Sequence, residues 1–209
     1  MNIKKVSLVL FSLAVLGGMV YFFWPKTGDV KNAPVPKEAI ILAFGDSLVA
    51  GEGATRNNDL SSLLSVKLGQ PVLNFGVSGD TTELGLARLE AALEEKPGVV
   101  ILLLGGNDFL RKIPREKTFA NLETIISEFQ KQGAAVILLG VQSGVFGNGP
   151  EKEYASLAEK TDTGYVPNVL DGLFGDSRYM SDSIHPNDAG YAIMADRVYA
   201  EIVKLYSKD

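Results

Sequence analysis

The sequence predicts one domain of the α/β class, with a parallel sheet covered by helices on both faces. The first observation is a set of short, largely apolar runs, which are typical of strands buried on both faces of a sheet. The second is that segments with helical spacing of apolar residues separate these runs. Strands and helices that alternate in this way form parallel sheets with helices on either side.

Four runs are predicted as strands because each is short and bounded by turn-forming residues. They are residues 39–44, 71–75, 99–104 and 135–139. A fifth, shorter strand is predicted near Tyr165 and Val166. The helical segments lie at about 59–68, 82–95, 117–131, 151–160 and 187–207. Residues 80–83, Asp-Thr-Thr-Glu, have the pattern of a cap at the start of the second helix.

An apolar segment, residues 1–24, precedes this domain. Val6 to Trp24 is free of charge over 19 positions, and a helix of that length spans roughly 28 Å, close to the hydrocarbon thickness of a bilayer. Lys4 and Lys5 favour a cytoplasmic N-terminus. We expect an uncleaved membrane anchor, with a cleaved signal peptide as the alternative, because no Ala-x-Ala-like site follows. Either way the domain is expected to be exported.

Residues 25–38 hold three prolines and mixed charge, which predicts an extended linker between the hydrophobic segment and a domain over residues 39–209.

Lys4 and Lys5 account for two of the 20 basic residues, so residues 25–209 hold 18 against 25 acidic ones, a formal charge of −7. No basic stripe is present, and nucleic-acid binding would lack its usual electrostatic contribution. The expected partners are a small acyl ester or lipid substrate and, through the N-terminal segment, a membrane; the expected state is a monomer.

Cysteine is absent from the chain, which excludes disulfides and thiolate catalysis. With a single histidine as well, few zinc ligands are available, and we expect neither a metal nor a cofactor.

The single histidine, His185, is the one candidate for imidazole chemistry. Pro186 biases it away from helical dihedral angles and into a loop, where functional side chains are common. Asp182 stands three residues before it; the alternative is a surface histidine with Asp182 as a turn former.

Polar motifs follow the first three predicted strands: residues 45–47, Gly-Asp-Ser; residues 76–80, Gly-Val-Ser-Gly-Asp; and residues 105–108, Gly-Gly-Asn-Asp. Ligands of open α/β sheets bind beyond the carboxyl ends of the strands, so these motifs are predicted to face one crevice. Ser47 is placed there as a nucleophile would be, although a serine after a strand is also ordinary turn chemistry. Asp46 and Asp108 are assigned to loop hydrogen bonds.

Ser47, His185 and Asp182 supply the three groups that acyl transfer needs. His185 would take the serine proton, and Asp182 would orient the imidazole and stabilise its charged form. The backbone N–H groups of Ser47 and Gly76 and the side-chain amide of Asn107 are candidates for an oxyanion hole. The alternatives are that Gly76 is a turn glycine and that Asn107 bonds a neighbouring loop.

Apolar residues after the third and fourth strands are candidates for an acyl-binding groove. They are Phe109, Leu110, Ile113, Val145 and Phe146. Core packing is the equal alternative for each of them.

The stretches FGDSLVAGEG, NFGVSGDTTELGLARL, LLLGGNDFLRKIP and DSIHPNDAGYAIMA occur in this order over most of residues 40–200. In this they resemble the SGNH hydrolases, also called the GDSL esterase/lipase family, and look most similar to its bacterial arylesterase, acyl-CoA thioesterase and lysophospholipase branch. The resemblance implies a flavodoxin-like three-layer α/β/α fold with strand order 2-1-3-4-5. It places the four invariant-type positions on Ser47, Gly76, Asn107 and His185, and the D-x-x-H block on Asp182 and His185.

The predicted function is therefore hydrolysis of acyl esters or thioesters by a serine esterase through an acyl-enzyme. One alternative keeps this chemistry but acts on O-acetyl groups of exported polysaccharide or peptidoglycan. Another is a non-catalytic, membrane-tethered binding domain, against which the full set of catalytic residue types argues. The glycine-rich segment after the fourth strand departs from the branch, and so does the long N-terminal apolar stretch. Neither departure touches the catalytic residues.

Overall fold

A computed structural model describes residues 29–141 and 150–206. Its centre is a five-stranded parallel sheet in the order 2-1-3-4-5, which confirms the predicted fold class. The strands are β1 (Ile41–Gly45), β2 (Val72–Gly76), β3 (Val99–Leu103), β4 (Ala135–Leu139) and β5 (Gly164–Val166).

Helices fill the connections between these strands. They are α1 (Ser47–Ala50), α2 (Leu60–Leu68), α3 (Thr82–Ala87), α4 (Leu89–Glu94), α5 (Gly106–Leu110), α6 (Arg115–Lys131), α7 (Glu151–Lys160) and α8 (Asp188–Ile202), the last followed by a 3-10 turn at Val203–Leu205. The predicted helix over 82–95 is two helices that meet at Arg88. The one-turn helices α1 and α5 were not predicted, because four or five residues are too few to show a helical period.

Alternate residues of the central strands enter two separate cores. Ile41 and Ala43 of β1 pack with side chains of α2 and α8, whereas Leu42 and Phe44 pack on the other face with side chains of α4, α6 and α7. Since β1, β3 and β4 are fully buried, their sequences are continuous apolar runs and not alternating patterns. The helices therefore cover both faces of the sheet, in three layers.

The register of the sheet sets the level at which three loops begin. Gly45 at the end of β1 pairs with Gly76 of β2 on one side and with Leu103 of β3 on the other. The polar motifs after these strands therefore leave the sheet side by side at its carboxyl edge, which is the arrangement the candidate site requires.

The described part of the predicted linker, residues 29–38, lies against the domain. Val35 is 6% exposed, and its N–H donates to the Leu205 carbonyl at 2.9 Å. The amide of Asn32 donates to the carbonyl oxygens of Gln130 and Ala134, both at 2.9 Å. The hydrophobic helix predicted over residues 1–24 lies outside the described residues. Among the residues that are described, no helix has the length and apolarity needed to cross a bilayer.

Candidate active site

Ser47 begins the one-turn helix α1 directly after β1. Asp46 caps this turn, because its carboxylate accepts a hydrogen bond from the Leu48 N–H at 3.1 Å. The first N–H groups of a helix have no acceptor within the helix, and the Ser47 N–H has no hydrogen-bond partner among the described residues. Both the hydroxyl and the N–H of Ser47 are thus available to a ligand at the edge of the sheet.

His185 lies in a loop that Asp182 closes. One oxygen of this carboxylate accepts the backbone N–H groups of Ile184 and His185, each at 2.8 Å. The His185 carbonyl in turn accepts the N–H of Ser181 at 2.9 Å. After Pro186, Asn187 caps α8 by accepting the N–H groups of residues 189 and 190. Pro186 therefore precedes the cap, and the loop is fixed at both ends.

The two segments meet although Ser47 and His185 are 138 positions apart in the chain. His185 Nε2 lies 3.1 Å from Ser47 Oγ, and His185 Nδ1 lies 2.7 Å from the second carboxylate oxygen of Asp182. The imidazole is 19% exposed and the Asp182 side chain 53% exposed. A hydroxyl, an imidazole and a carboxylate thus form one hydrogen-bonded series at the predicted edge.

Two carboxyl groups of the site have pKa values that are shifted in opposite directions. The hydrogen bond with His185, followed by the backbone N–H of Ile184, lowers the pKa of Asp182 to about 2. Burial raises the pKa of Asp46 to about 7, although the Leu48 N–H acts in the opposite direction. Asp182 is therefore ionised at neutral pH, whereas Asp46 titrates near it.

Asn107, in α5, is held by the loops after β1 and β2. Its amide donates to the Asp80 carbonyl at 2.9 Å and to the Asp46 carboxylate at 3.4 Å. The neighbouring Asp108 is fully buried and accepts the N–H and hydroxyl of Thr82, at 2.9 and 2.6 Å. Asp46 and Asp108 thus make the loop hydrogen bonds assigned to them from sequence.

The N–H of Gly76, a predicted oxyanion donor, already has an acceptor within the protein. Its N–H donates to Asn74 Oδ1 at 2.9 Å, and a β-carbon there would overlap the backbone of Ala50. Its missing side chain therefore serves the packing of α1 on β2. Gly79, three residues later, has a left-handed φ of +83°, and its N–H has no hydrogen-bond partner among the described residues. The loop after β2 thus leaves the N–H of Gly79, and not that of Gly76, free of protein acceptors.

A cavity beside Ser47 and His185 has an apolar wall. Its apolar lining consists of Leu48, Leu110, Val141, Leu170, Phe174 and Ile184. Of the residues predicted for this role, Leu110 lies in the wall, whereas Phe109 packs edge-on against Tyr154 in the core. Ile113 is half-buried outside the wall, and Val145 and Phe146 lie outside the described residues. Val141 could have been predicted, since it follows β4 as the polar motifs follow β1 to β3.

Metal ligands are sparse around the site. His185 is the one histidine of the chain, and there is no cysteine. Within residues 29–141 and 150–206, no group of three or more histidine, aspartate or glutamate side chains is arranged to hold a metal ion. We therefore assign no metal-binding role to the described residues.

Comparison with known families identifies the class of protein. The model of the GDSL-like lipase/acylhydrolase family matches residues 43–193, a span that includes Ser47, Asn107 and His185. The chain belongs to this family. The resemblance drawn from the sequence is therefore confirmed, and the protein is an SGNH hydrolase of the esterase type.

Curated relatives of this SGNH hydrolase carry esterase names. It is 34% identical to the esterase TesA of Pseudomonas aeruginosa, covering 79% of this chain and 88% of that protein. It is 33% identical to an arylesterase of Vibrio mimicus, over 78% of this chain and 88% of the relative. It is 29% identical to the thioesterase 1/protease 1/lysophospholipase L1 of Escherichia coli K12, over 81% and 86% of the two chains. The predicted branch is confirmed.

Solved structures agree with the fold of the SGNH hydrolase. The crystal structure of TesA superposes with a TM-score of 0.75 at 33% identity, covering 79% of this chain and 99% of that one. The similarity therefore covers nearly all of that solved domain.

Proposed function

We propose that this SGNH hydrolase cleaves acyl esters and thioesters through an acyl-enzyme on Ser47. The observation that carries the proposal is the series from Ser47 Oγ to His185 Nε2 and from His185 Nδ1 to Asp182 Oδ2, with separations of 3.1 and 2.7 Å. Nucleophile, base and orienting carboxylate stand in the order that acyl transfer requires.

In the acylation step, Ser47 Oγ forms a bond to the acyl carbonyl carbon while its proton passes to His185 Nε2. The imidazolium then gives this proton to the leaving alcohol or thiol as the ester or thioester bond breaks. In the second step, His185 takes a proton from water, whose oxygen forms a bond to the acyl carbon. The imidazolium then returns this proton to Ser47 Oγ as the bond between Oγ and the acyl carbon breaks, which releases the carboxylic acid and restores the free serine. Asp182 remains ionised throughout and stabilises the imidazolium of both steps.

Three N–H donors are proposed to bind the oxyanion of the tetrahedral intermediate. They are the backbone N–H of Ser47, the backbone N–H of Gly79 and the side-chain amide of Asn107. One hydrogen of the Asn107 amide donates to the Asp80 carbonyl at 2.9 Å, which supports the placement of the Gly79–Asp80 segment beside it. The second hydrogen, whose contact with the Asp46 carboxylate is long at 3.4 Å, is the one proposed to bind the oxyanion. Fixed donors of this kind stabilise the charge that develops in the transition state, and each contributes about 10²–10³ in rate.

The substrate class is proposed from the apolar wall of the cavity and from the names of the relatives. Its wall of Leu110, Leu170, Phe174 and Ile184 suits an acyl chain longer than acetyl. The names of the relatives add aryl esters, thioesters and lysophospholipids as candidate leaving-group classes. Val145 and Phe146 remain predictions for the same acyl group.

Hydrolysis of p-nitrophenyl esters from acetate to decanoate tests this function. We expect kcat/KM to rise beyond acetate, and Ser47→Ala to lower kcat by about 10⁴-fold or more. Ser62→Ala, on α2 and away from the site, is the matched control and should retain activity. A sharp preference for acetate would contradict the long acyl substrate and favour an O-acetyl esterase. Full activity of Ser47→Ala would contradict the mechanism itself.

We further propose that residues 1–24 hold the enzyme in a membrane with the catalytic domain outside the cytoplasm. The 19-residue uncharged stretch and the two lysines before it support this orientation. The test is the intact mass of protein extracted from membranes. A mass equal to the whole chain from Met1, or from Asn2 after removal of Met1, is expected, and a mass lacking the apolar stretch would contradict the anchor.

A further inference from the structure

Arg88 joins the two loops that hold the proposed oxyanion hole. It stands between α3 and α4, with its side chain 24% exposed. Its Nε donates to Asp80 Oδ2 at 2.6 Å, and its Nη2 donates to the Gly45 carbonyl at 2.9 Å. One guanidinium thus bonds the backbone two residues before Ser47 and the residue directly after Gly79.

The same contact reaches the third proposed donor. Asp80 is 6% exposed, and its carbonyl accepts the amide of Asn107 at 2.9 Å. The guanidinium lies over the ring of Phe44, 4.2 Å from its centroid. Arg88 is therefore held by the Phe44 ring of the core and by the loops after β1 and β2. Asp80 links it to Asn107, because the Asp80 side chain bonds Arg88 and the Asp80 carbonyl bonds Asn107.

We infer that Arg88 is a positioning residue, which sets the spacing of the Ser47, Gly79 and Asn107 donors without touching substrate. The inference rests on the proposed function. A planar guanidinium offers separate N–H groups in fixed directions, which a lysine ammonium does not. Loss of Arg88 is expected to let the β1 and β2 loops move apart, and a displaced oxyanion donor weakens binding of the transition state more than binding of the substrate.

Steady-state kinetics of Arg88→Met and Arg88→Lys test the inference. We expect Arg88→Met to lower kcat by about 10²-fold, as for loss of one oxyanion donor, with KM changed by less than about threefold. Arg88→Lys should lower kcat less, since it keeps a charge beside Asp80. The pH of half-maximal kcat/KM should not move, because His185 and Asp182 are untouched. The matched control is Arg197→Met, which also removes an arginine bonded to two backbone carbonyl oxygens, of Val169 and Asp171.

A double-mutant cycle with Asn107→Ala separates positioning from general stability. If Arg88 acts through the oxyanion hole, adding Arg88→Met to Asn107→Ala should lower kcat by less than about threefold more. If the loss of kcat in the double variant equals the product of the losses in Arg88→Met and Asn107→Ala, the inference is overturned. It is also overturned if Arg197→Met and Arg88→Met have the same melting temperature and lose kcat equally. Normal kcat in Arg88→Met with a large loss in Asn107→Ala would overturn it while leaving the proposed function intact. Full activity of Ser47→Ala would contradict both the proposed function and the inference about Arg88.

Discussion

Asp182 accepts hydrogen bonds from three N–H groups of its own loop, those of the His185 ring, the Ile184 backbone and the His185 backbone. The bond with the His185 ring is the largest cause of a pKa lowered to about 2. The stability that this pairing adds is present above the ordinary carboxyl pKa and is lost only as the pH falls toward about 2. A rate change near neutral pH therefore cannot come from Asp182.

The pH dependence of kcat/KM is predicted to have an acid limb set by His185. Only the neutral imidazole accepts the proton of Ser47, so the rate should rise as His185 loses its proton. The measurement is kcat/KM for one p-nitrophenyl ester across pH 5 to 8. The limb should persist in Asp46→Asn, which removes the buried carboxyl group whose pKa is raised to about 7. A flat profile in the wild-type enzyme would contradict this role for His185.

Asp182→Asn is predicted to lower kcat by roughly 10³–10⁴-fold, because an amide neither stabilises the imidazolium nor holds the required tautomer. Steady-state kinetics at pH 8 measure this change. Asp196→Asn removes a carboxylate from a surface ion pair with Lys67 and is the matched control. Equal activity of the two variants would show that Asp182 does not act on His185.

The burial of the Asp46 carboxyl group is expected to make the free energy of unfolding depend on pH. Burial raises its pKa from 3.8 to about 7, so the folded protein binds this proton more tightly than the unfolded chain. The free energy of unfolding should therefore fall as the pH rises through this interval and level off above about 7.

Asp46→Asn is predicted to remove this fall, so its stability relative to wild type should improve between pH 5 and pH 8. One pKa unit corresponds to about 1.4 kcal/mol, and the expected gain is about 1–4 kcal/mol. Urea unfolding at the two pH values measures it. Asp171→Asn, an exposed carboxylate, should show no such change. If the free energy of unfolding of Asp46→Asn differs from that of wild type by the same amount at both pH values, the raised pKa of Asp46 is contradicted.

The secondary structure was predictable where elements are long or fully buried. The strands β1, β3 and β4 lie within one or two residues of the apolar runs that predicted them. The break at Arg88 was not visible, because both halves of the segment have helical spacing. At the break, Arg88 contacts Asp80 and Gly45, which lie 8 and 43 positions away, and local spacing carries no signal of such contacts.

The loop after α1 supports the loop that carries His185. Gly53 has a left-handed φ of +87°, and a β-carbon there would overlap Ser181 Oγ and the Pro186 carbonyl oxygen. Because Asp182 and His185 lie between these two contacts, a larger residue at position 53 must displace them.

Gly53→Ala is predicted to lower kcat at least about tenfold, since small displacements of catalytic groups cost up to about 10²-fold. Gly69→Ala is the matched control: Gly69 has a φ of +68° with open space around it. Both variants should lose about 1–2 kcal/mol from backbone strain, and the clash adds to this loss in Gly53→Ala. Thermal melting and kcat measure the two effects. An equal kcat in both variants would contradict the proposed support.

For the molecule as a whole, the strand order determines which loops form the site. The order 2-1-3 places the loops after β1, β2 and β3 side by side, and this much followed from motifs at strand ends together with the family resemblance. The sequence predicted Gly76 as an oxyanion donor and did not indicate Gly79, which follows the same strand. Their N–H groups distinguish them, since that of Gly76 donates to Asn74 Oδ1, whereas that of Gly79 has no hydrogen-bond partner among the described residues.

The cavity wall was predicted least well. Leu170 and Phe174 follow the end of β5 by four and eight positions, and no motif marked them. Their position depends on the folding of a loop against the carboxyl edge of the sheet. Long-range contacts of this kind leave no periodic signal in a sequence, whereas Ser47 and His185 were identified by their chemistry.

Covalent labelling tests the central claim most directly, which is that Ser47 is the nucleophile activated by His185. The full-length enzyme is treated with a fluorophosphonate and its intact mass and tryptic peptides are measured. We predict one adduct per chain, on the peptide that contains Ser47, with none in Ser47→Ala and slow labelling in His185→Ala. An unlabelled wild-type enzyme, or equal labelling of Ser47→Ala, would contradict the account.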